Sequence, residues 1–268
     1  MRVAAVIQAK GNSTRVHNKN SRLCGGKKLV EWPIEAALGA KCIDNVFVST
    51  DGATIKEIAL SHKGVCVIDR PYQLSQPYST GAPTQIDMLK QIYDKGYKFD
   101  YIFNLWCTSP LVQSWQLDDA FNKFINAYWA TQLAAVVNVK GSGISHYCIV
   151  NPANNKMMSP YGLQGAPAWH DMMTWVKTTG AFGIYNPNIV DYSKLPEITS
   201  NMSYMEIEGM YGLASLLLTA ETFSQKAETI YAYAIDNISA LDINTEDDLA
   251  LADHYLTLRK EKQDAGKN

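Results

Sequence analysis

The chain has 268 residues, 47% of them hydrophobic and 19% charged, with a formal net charge of -2. That length and apolar content suffice for one core domain, and the near-balanced charge excludes the broad electrostatic footprint that a nucleic-acid partner requires. No run of about twenty apolar residues is present to span a bilayer and no charged-then-apolar leader precedes the first strand, so the expected setting is cytoplasmic, with no membrane partner.

Val3–Gln8 reads as the first strand, apolar on both faces as in a parallel sheet covered by helices on each side. It runs into a cationic loop, Ala9-Lys-Gly-Asn-Ser-Thr-Arg15, and then into Lys19-Asn20. Gly11 and Asn12 let the backbone turn sharply, Ser13 and Thr14 add hydroxyl donors, and Lys10, Arg15 and Lys19 add positive charge. Donors and cations around a tight turn suit a polyphosphate, and open α/β sheets place their ligands at the carboxyl ends of the strands. A solvated basic loop is the other reading of the same residues. The glycine spacing matches neither a Walker A loop nor G-x-G-x-x-G.

Beyond the loop, apolar spacing predicts a helix over Leu29–Leu38, with Pro33 near its start where a missing amide costs little. A strand follows at Val46–Thr50, then a helix carrying Ile55, Ile58 and Ala59, a strand at Val65–Ile68 and a helix over Thr84–Tyr93. Tyr101–Leu105 is a strand, Leu117, Ala120, Phe121, Phe124, Ile125 and Tyr128 mark an amphipathic helix, and Ala134–Val139 is a strand. Such alternation predicts an α/β, doubly wound, largely parallel sheet. From Lys140 to about Lys177 the composition turns to Gly, Pro, Asn, Ser, Met and Trp, an excursion from the sheet, and Gly180–Tyr185 reads as a return strand. Met202–Ala227 reads as one or two helices, and Thr245–Asp248 is a capping box opening a helix through Leu258, before a charged tail expected to fray. The five cysteines, Cys24, Cys42, Cys66, Cys107 and Cys148, are odd in number and form no C-x-x-C pair, which argues against a disulfide framework and a zinc site.

With these residues in place, the chain resembles the CMP-sialic acid synthetase (acylneuraminate cytidylyltransferase) family, as a divergent member. Ala9–Asn20 resembles the loop A-R-x-x-S-K-x-x-P-x-K-N, Val48-Ser-Thr-Asp51 the V-S-T-D block, and Arg70-Pro71 the arginine-proline pair. Thr108-Ser-Pro-Leu111 resembles the end of L-Q-P-T-S-P-L, and Leu241–Leu249 resembles I-D-I-D-T-E-x-D-L. The resemblance implies a Rossmann-like nucleotide-diphospho-sugar transferase fold, a mixed, mainly parallel sheet flanked by helices. It implies one domain over residues 1–268, a protruding dimerisation segment inserted at 140–180 and a flexible tail at 260–268. The implied reaction joins a sialic acid-like or related nonulosonic or octulosonic 2-keto sugar acid to CTP, giving the CMP-sugar and pyrophosphate for glycan assembly. Mg²⁺ is the implied cofactor and a homodimer the implied assembly.

Carried over residue by residue, the resemblance makes Lys19, Lys10 and Arg15 the catalytic cations. Ala9, Lys10, Asn12, Ser13, Lys19, Asn20, Arg70, Thr80 and Gly81 would bind the nucleotide, and Trp106, Thr108, Ser109, Lys177 and Thr179 the sugar. Asp242 and Asn244 would hold the metal, with turn residues before the helix as the alternative. Several positions depart from the family pattern. Lys10 replaces an arginine and loses its bidentate fork, Thr14 replaces a lysine, and His17 replaces a proline and reads as a bystander. Trp106-Cys107 replaces Gln-Pro, so the indole either stacks on a different substrate face or fills core space. Lys177 keeps the positive charge of an arginine that meets the sugar carboxylate, Thr179 replaces an asparagine, and Asn244 replaces a second aspartate. Arg70 could instead cap a helix or pair with Asp69. Two other functions stay open: a related nucleotidyltransferase using another nucleotide or sugar, because Gln8-Ala-Lys-x-x-Ser-Thr-Arg15 also resembles a spore-coat polysaccharide group, and a catalytically weak nucleotide-binding homologue.

Overall fold

The computed structural model describes residues 1–138, 147–150, 154–158, 174–219 and 230–265. Its strands are Val3–Gln8 (β1), Leu23–Cys24 (β2), Lys27–Lys28 (β3), Asn45–Thr50 (β4), Val65–Asp69 (β5) and Tyr101–Trp106 (β6). Gln132–Asn138 (β7), Tyr147–Val150 (β8), Met157–Met158 (β9), Thr174–Tyr185 (β10) and Ile230–Ala234 (β11) complete them. The helices are Glu31–Gly39 (α1), Ala53–Ser61 (α2), Gly81–Asp94 (α3), Ser114–Ile125 (α4), Tyr204–Thr219 (α5) and Glu246–Ala265 (α6).

The main sheet runs β11-β7-β10-β6-β1-β4-β5. Parallel pairing joins β1 to β4 and β6, β4 to β5, and β11 to β7. The expected return strand is β10, which inserts antiparallel between β6 and β7. It is longer than the sequence suggested, because Thr174–Lys177 already pairs with β8 and Val176–Thr178 with β7. The excursion expected to last until about Lys177 therefore ends by Thr174. The rest of the 140–173 insertion lies outside the described residues, apart from β8, β9 and the short stretch 154–156.

Residues alternate along β1 between two cores. Val3, Ala5 and Ile7 pack with Ile34 and Ala37 of α1, Ile55 and Ala59 of α2, and Leu117 and Phe121 of α4. Ala4 and Val6 face the other side, with Ile86, Leu89 and Ile92 of α3 and Ile207 and Tyr211 of α5. A strand buried on both faces has no polar alternation to display, which is why β1 reads as a continuous apolar run. Helix α3 begins at Gly81, three residues before the expected Thr84. Tyr128, assigned to the amphipathic helix from its spacing, lies beyond the end of α4 at Ile125 and is 97% exposed. The chain turns there, with the Ala127 amide donating to the Phe124 carbonyl at 3.0 Å. Ser203 and Glu206 form a reciprocal box at the start of α5: the Ser203 amide donates to Glu206 Oε2 at 2.8 Å and the Glu206 amide to Ser203 Oγ at 3.3 Å.

A third, smaller cluster fastens the two ends of the chain together. Val16 from the loop after β1, Cys24 and Leu29 pack with Leu111, Ile243 and the α6 residues Leu249, Ala252 and Leu256. The expected tail from residue 260 continues as helix through Ala265, because α6 extends past its last buried leucine, Leu256, without a breaker. Leu256 is 1% exposed and central to this cluster. Leu256→Ala is expected to lower unfolding stability by about 2–5 kcal/mol, read as a shifted urea midpoint with an unchanged slope. A loss below about 1 kcal/mol would contradict the docking of α6 on the loop after β1.

Candidate active site

The cationic loop is held by its neighbours and by one bond across its own span. The Ala9 amide donates to the Ser49 carbonyl at 2.9 Å, so the chain leaving β1 still rests on β4. The Gly11 amide then donates to Asp51 Oδ1 at 2.8 Å. A Cβ built on Gly11 would stand 2.8 Å from the Gly52 Cα, and one on Gly52 equally close to the Gly11 Cα, so only two glycines allow the loops after β1 and β4 to meet. Asn20, 6% exposed, donates its amide to the Lys10 carbonyl at 2.9 Å and closes the loop from its far side. Lys10 Nζ donates to the Gln76 carbonyl at 2.8 Å, and Lys19 Nζ to the Ile243 carbonyl at 2.5 Å.

Burial lowers the pKa of Lys19, with Asp242 opposing the shift and Arg15 reinforcing it. Burial likewise lowers Lys10, against the pull of Asp51 and with the push of Arg70. Arg70 is itself lowered by burial, with Asp51 opposing. Asp51 therefore counterbalances two cations while gripping the loop backbone. Arg70 donates to the Ser49 carbonyl at 3.2 Å, and Asp69 is engaged by Lys56 at 2.6 Å, which removes the Arg70–Asp69 pairing considered above.

Asp242 and Asn244 lie on the segment that enters α6. Thr245 and Asp248 form the expected capping box: the Thr245 amide donates to Asp248 Oδ2 at 2.8 Å and the Asp248 amide to Thr245 Oγ1 at 3.2 Å. The Ile243 amide donates to the Thr108 carbonyl at 2.8 Å while its own carbonyl receives Lys19. The segment is thus stitched to the loops after both β6 and β1. Asp242 is exposed, and Asn244 Nδ2 donates to its Oδ2 at 2.7 Å. Among the described residues no group of three or more His, Cys, Asp and Glu side chains is placed to hold a metal. One carboxylate beside a cationic loop is nevertheless a donor set that fits Mg²⁺, which takes one or two protein carboxylates and completes its shell with phosphate oxygens and water.

The other expected residues fall into two groups. Asn12, Ser13 and Arg15 line the loop with exposed or half-buried side chains, and His17 is exposed. Trp106, Ser109 and Gly81 converge: a Cβ on Gly81 would lie 2.9 Å from the Trp106 ring, and the Ser109 amide donates to the Trp106 carbonyl at 3.1 Å. Thr80 and Thr179 serve the scaffold. The Thr80 amide donates to the Tyr204 hydroxyl at 3.0 Å. Thr179 Oγ1 donates to the Ala135 carbonyl at 3.2 Å and receives the Ala181 amide at 3.3 Å, at the irregularity where β10 changes register against β7. Lys177 has its backbone in β10, opposite Val137, and its side chain lies outside the described residues.

Four buried side-chain atoms lack a hydrogen-bond partner among the described residues: Gln8 Nε2, Asn20 Oδ1, Asn104 Oδ1 and Ser109 Oγ. All four lie at the ends of β1 and β6 or in the loops that follow. Buried polar groups are ordinarily paired, so this concentration marks the place where the fold leaves polar capacity for a ligand. Sequence reasoning did not single out Gln8, Asn104 or Asp51 as site residues. A polar residue ending an otherwise apolar strand was the available signal for Gln8, and the Val48–Asp51 block for Asp51. Asp87 was also unforeseen. It is 4% exposed on α3, and burial raises its carboxyl to about 7, against the pull of the Gln91 amide and of Arg70.

The cytidylyltransferase family model matches residues 4–143, and the chain belongs to that family. The chain is 36% identical over 110 residues to the CMP-N,N'-diacetyllegionaminic acid synthase of Legionella pneumophila, covering 41% of this chain and 47% of that protein. It is 30% identical over 125 residues to a pseudaminic acid cytidylyltransferase of Campylobacter jejuni, covering 47% and 54%. Against the N-acylneuraminate cytidylyltransferase of Streptococcus agalactiae it is 31% identical over 126 residues, 46% of this chain and 29% of the other. The chain spans about half the length of the first two of these curated relatives. A solved CMP:2-keto-3-deoxy-manno-octonic acid synthetase, complexed with CTP, superposes with a TM-score of 0.68 at 17% identity over 97% of this chain and all of the other, which establishes a shared fold.

The raised Asp87 carboxyl carries a signed pH dependence. Its folded value of about 7 exceeds the ordinary 3.8, so between those values the folded chain binds more protons than the unfolded one and stability falls as pH rises. Asp87→Asn is expected to flatten that fall in urea midpoints measured from pH 4 to pH 8. An equal slope in both proteins would contradict the assignment.

Proposed function

We propose that this chain is a Mg²⁺-dependent cytidylyltransferase that couples a 2-keto sugar acid to CTP, releasing pyrophosphate, in the cytoplasm and as a homodimer. The observation that carries the reading is the gathering of Lys10, Lys19 and Arg70, from the loops after β1 and β5, with Asp51 and Asp242 near strand ends where buried polar atoms have no partner among the described residues. The named activities of the relatives support the nucleotide and the acid. Among the described residues no helix is long and apolar enough to cross a membrane.

In this reaction the sugar's anomeric hydroxyl oxygen forms a bond to the α-phosphorus and gives up its proton to solvent, as the α–β phosphoanhydride bond breaks and pyrophosphate leaves with the bonding electrons. Charge gathers on the nonbridging and leaving oxygens, where fixed cations contribute most. Lys19 is suited to that role because its ammonium is anchored on the Ile243 carbonyl and needs no reorganisation. Lys10 and Arg15 extend the positive field along the loop, and Asn12 and Ser13 are the proposed donors to phosphate oxygens, the Gly11 amide being held by Asp51. Lys177 is the proposed partner of the acid's carboxylate. Asp242 would hold Mg²⁺, which would supply further charge neutralisation at the phosphates. Asn244 orients that carboxylate through the 2.7 Å hydrogen bond and brings no charge of its own.

This division of labour gives opposite effects for two neighbouring substitutions. Asp242→Ala is expected to lower kcat by about 100-fold or more. Asn244→Asp adds the second carboxylate and is expected to lower the Mg²⁺ concentration that gives half-maximal pyrophosphate release. An Asp242→Ala protein with unaltered Mg²⁺ dependence would sink the metal assignment.

A further inference from the structure

The ends of β1 and β6 carry three large uncharged polar or aromatic side chains on one face. Gln8 and Trp106 are register partners on adjacent parallel strands, and Asn104 lies two residues before Trp106. Strand alternation puts all three on the side of Val6 and Ile102, the side that α3 and α5 cover. Gln8 is 8% exposed, and among the described residues neither its Nε2 nor the Asn104 Oδ1 has a hydrogen-bond partner. The neighbouring polar pair on that face is satisfied, because Gln85 donates to the Tyr185 hydroxyl at 2.5 Å.

The first turn of α3 forms the wall of this place. A Cβ on Gly81 would come within 2.9 Å of the Trp106 ring and 3.6 Å of Gln8 Oε1, so glycine, indole and amide meet at one point. The Thr80 side chain does not cap the helix. Opposite Asn104, β10 presents Gly183, which has no side chain to fill the face. The triphosphate has its cations on the loop after β1, whereas an indole beside an amide donor and an amide acceptor suits an uncharged ligand face with hydroxyl or acylamido groups.

We propose that Gln8, supported by Asn104, is a specificity-determining residue whose amide hydrogen-bonds a hydroxyl or acylamido substituent of the sugar acid, while Trp106 covers the sugar's apolar side. The inference rests on the sugar-acid reading above. It also predicts a signature that a structural glutamine lacks. An amide kept unpaired in a core costs the free protein stability, so an apolar replacement leaves the fold as stable or more stable while weakening one substrate alone.

The test uses the full chain with Gln8→Leu and, as a straight-chain second variant, Gln8→Met. Pyrophosphate release is followed with CTP and N,N'-diacetyllegionaminic, pseudaminic, N-acylneuraminic and 2-keto-3-deoxy-manno-octonic acids, beside melting temperatures. The expected result is a KM for the accepted acid raised about 10-fold or more, a KM for CTP within about 2-fold, and a melting temperature unchanged or higher. A rise in the KM for CTP instead would assign the amide to the nucleotide and overturn the proposal. Unchanged KM values, or a lowered melting temperature in both variants, would make the amide structural and also overturn it. Wild-type protein that binds CTP by calorimetry yet turns over no acid would overturn the sugar-acid reading itself, and with it this proposal, a failure distinguished by lying in the unmutated protein.

Discussion

The site depends on bringing the two ends of the chain to one place. Lys19 donates to the Ile243 carbonyl across 224 residues of sequence, and the Ile243 amide donates in turn to the carbonyl of Thr108. Those two bonds tie the loop after β1, the loop after β6 and the entry to α6 into one frame. Neither bond would hold its geometry alone. The Val16, Ile243, Leu249 and Leu256 cluster fixes the frame from below, which makes the position of Asp242 relative to the cationic loop a consequence of packing.

Local signals foretold most of the elements. The alternation of apolar strands and amphipathic helices through β7 set the fold class, and the Thr245–Asp248 box set the start of α6 at the residue where its hydrogen bonds form. The cationic loop was legible because Lys10, Gly11, Ser13, Lys19 and Asn20 lie within one short stretch. What stayed hidden was what long-range pairing decides. The antiparallel insertion of β10 between β6 and β7 is a matter of topology, which periodicity cannot report. Tyr128 kept the helical period yet fell outside α4, because a turn after Ile125 competes with one more helical turn. The Ser203–Glu206 box was available in the sequence and would have resolved the start of α5. Gln8 and Trp106 become neighbours only when β1 and β6 are paired in register.

The sheet and the chemistry answer to different constraints. A solved synthetase at 17% identity shares the fold over nearly the whole chain, so one backbone accommodates two widely different sequences. The loops after β1 and β4 are under tighter geometric constraint. Gly11 and Gly52 leave no room for a Cβ, and Asp51 must both receive the Gly11 amide and face Lys10 and Arg70. Trp106 and Asn244 lie within this frame, the first ending β6 and the second on the segment that enters α6. Polar atoms left unpaired here are a stability cost concentrated where ligand binding can offset it.

The measurement that addresses the central claim most directly is phosphorus NMR of the purified chain with CTP, Mg²⁺ and each 2-keto sugar acid, with UTP, ATP and GTP in parallel. The account predicts that the three CTP resonances give way to one phosphodiester signal and pyrophosphate, for CTP and at least one acid. A product with a diphosphate linkage, preference for another nucleotide, or an unchanged CTP spectrum with every acid would contradict it.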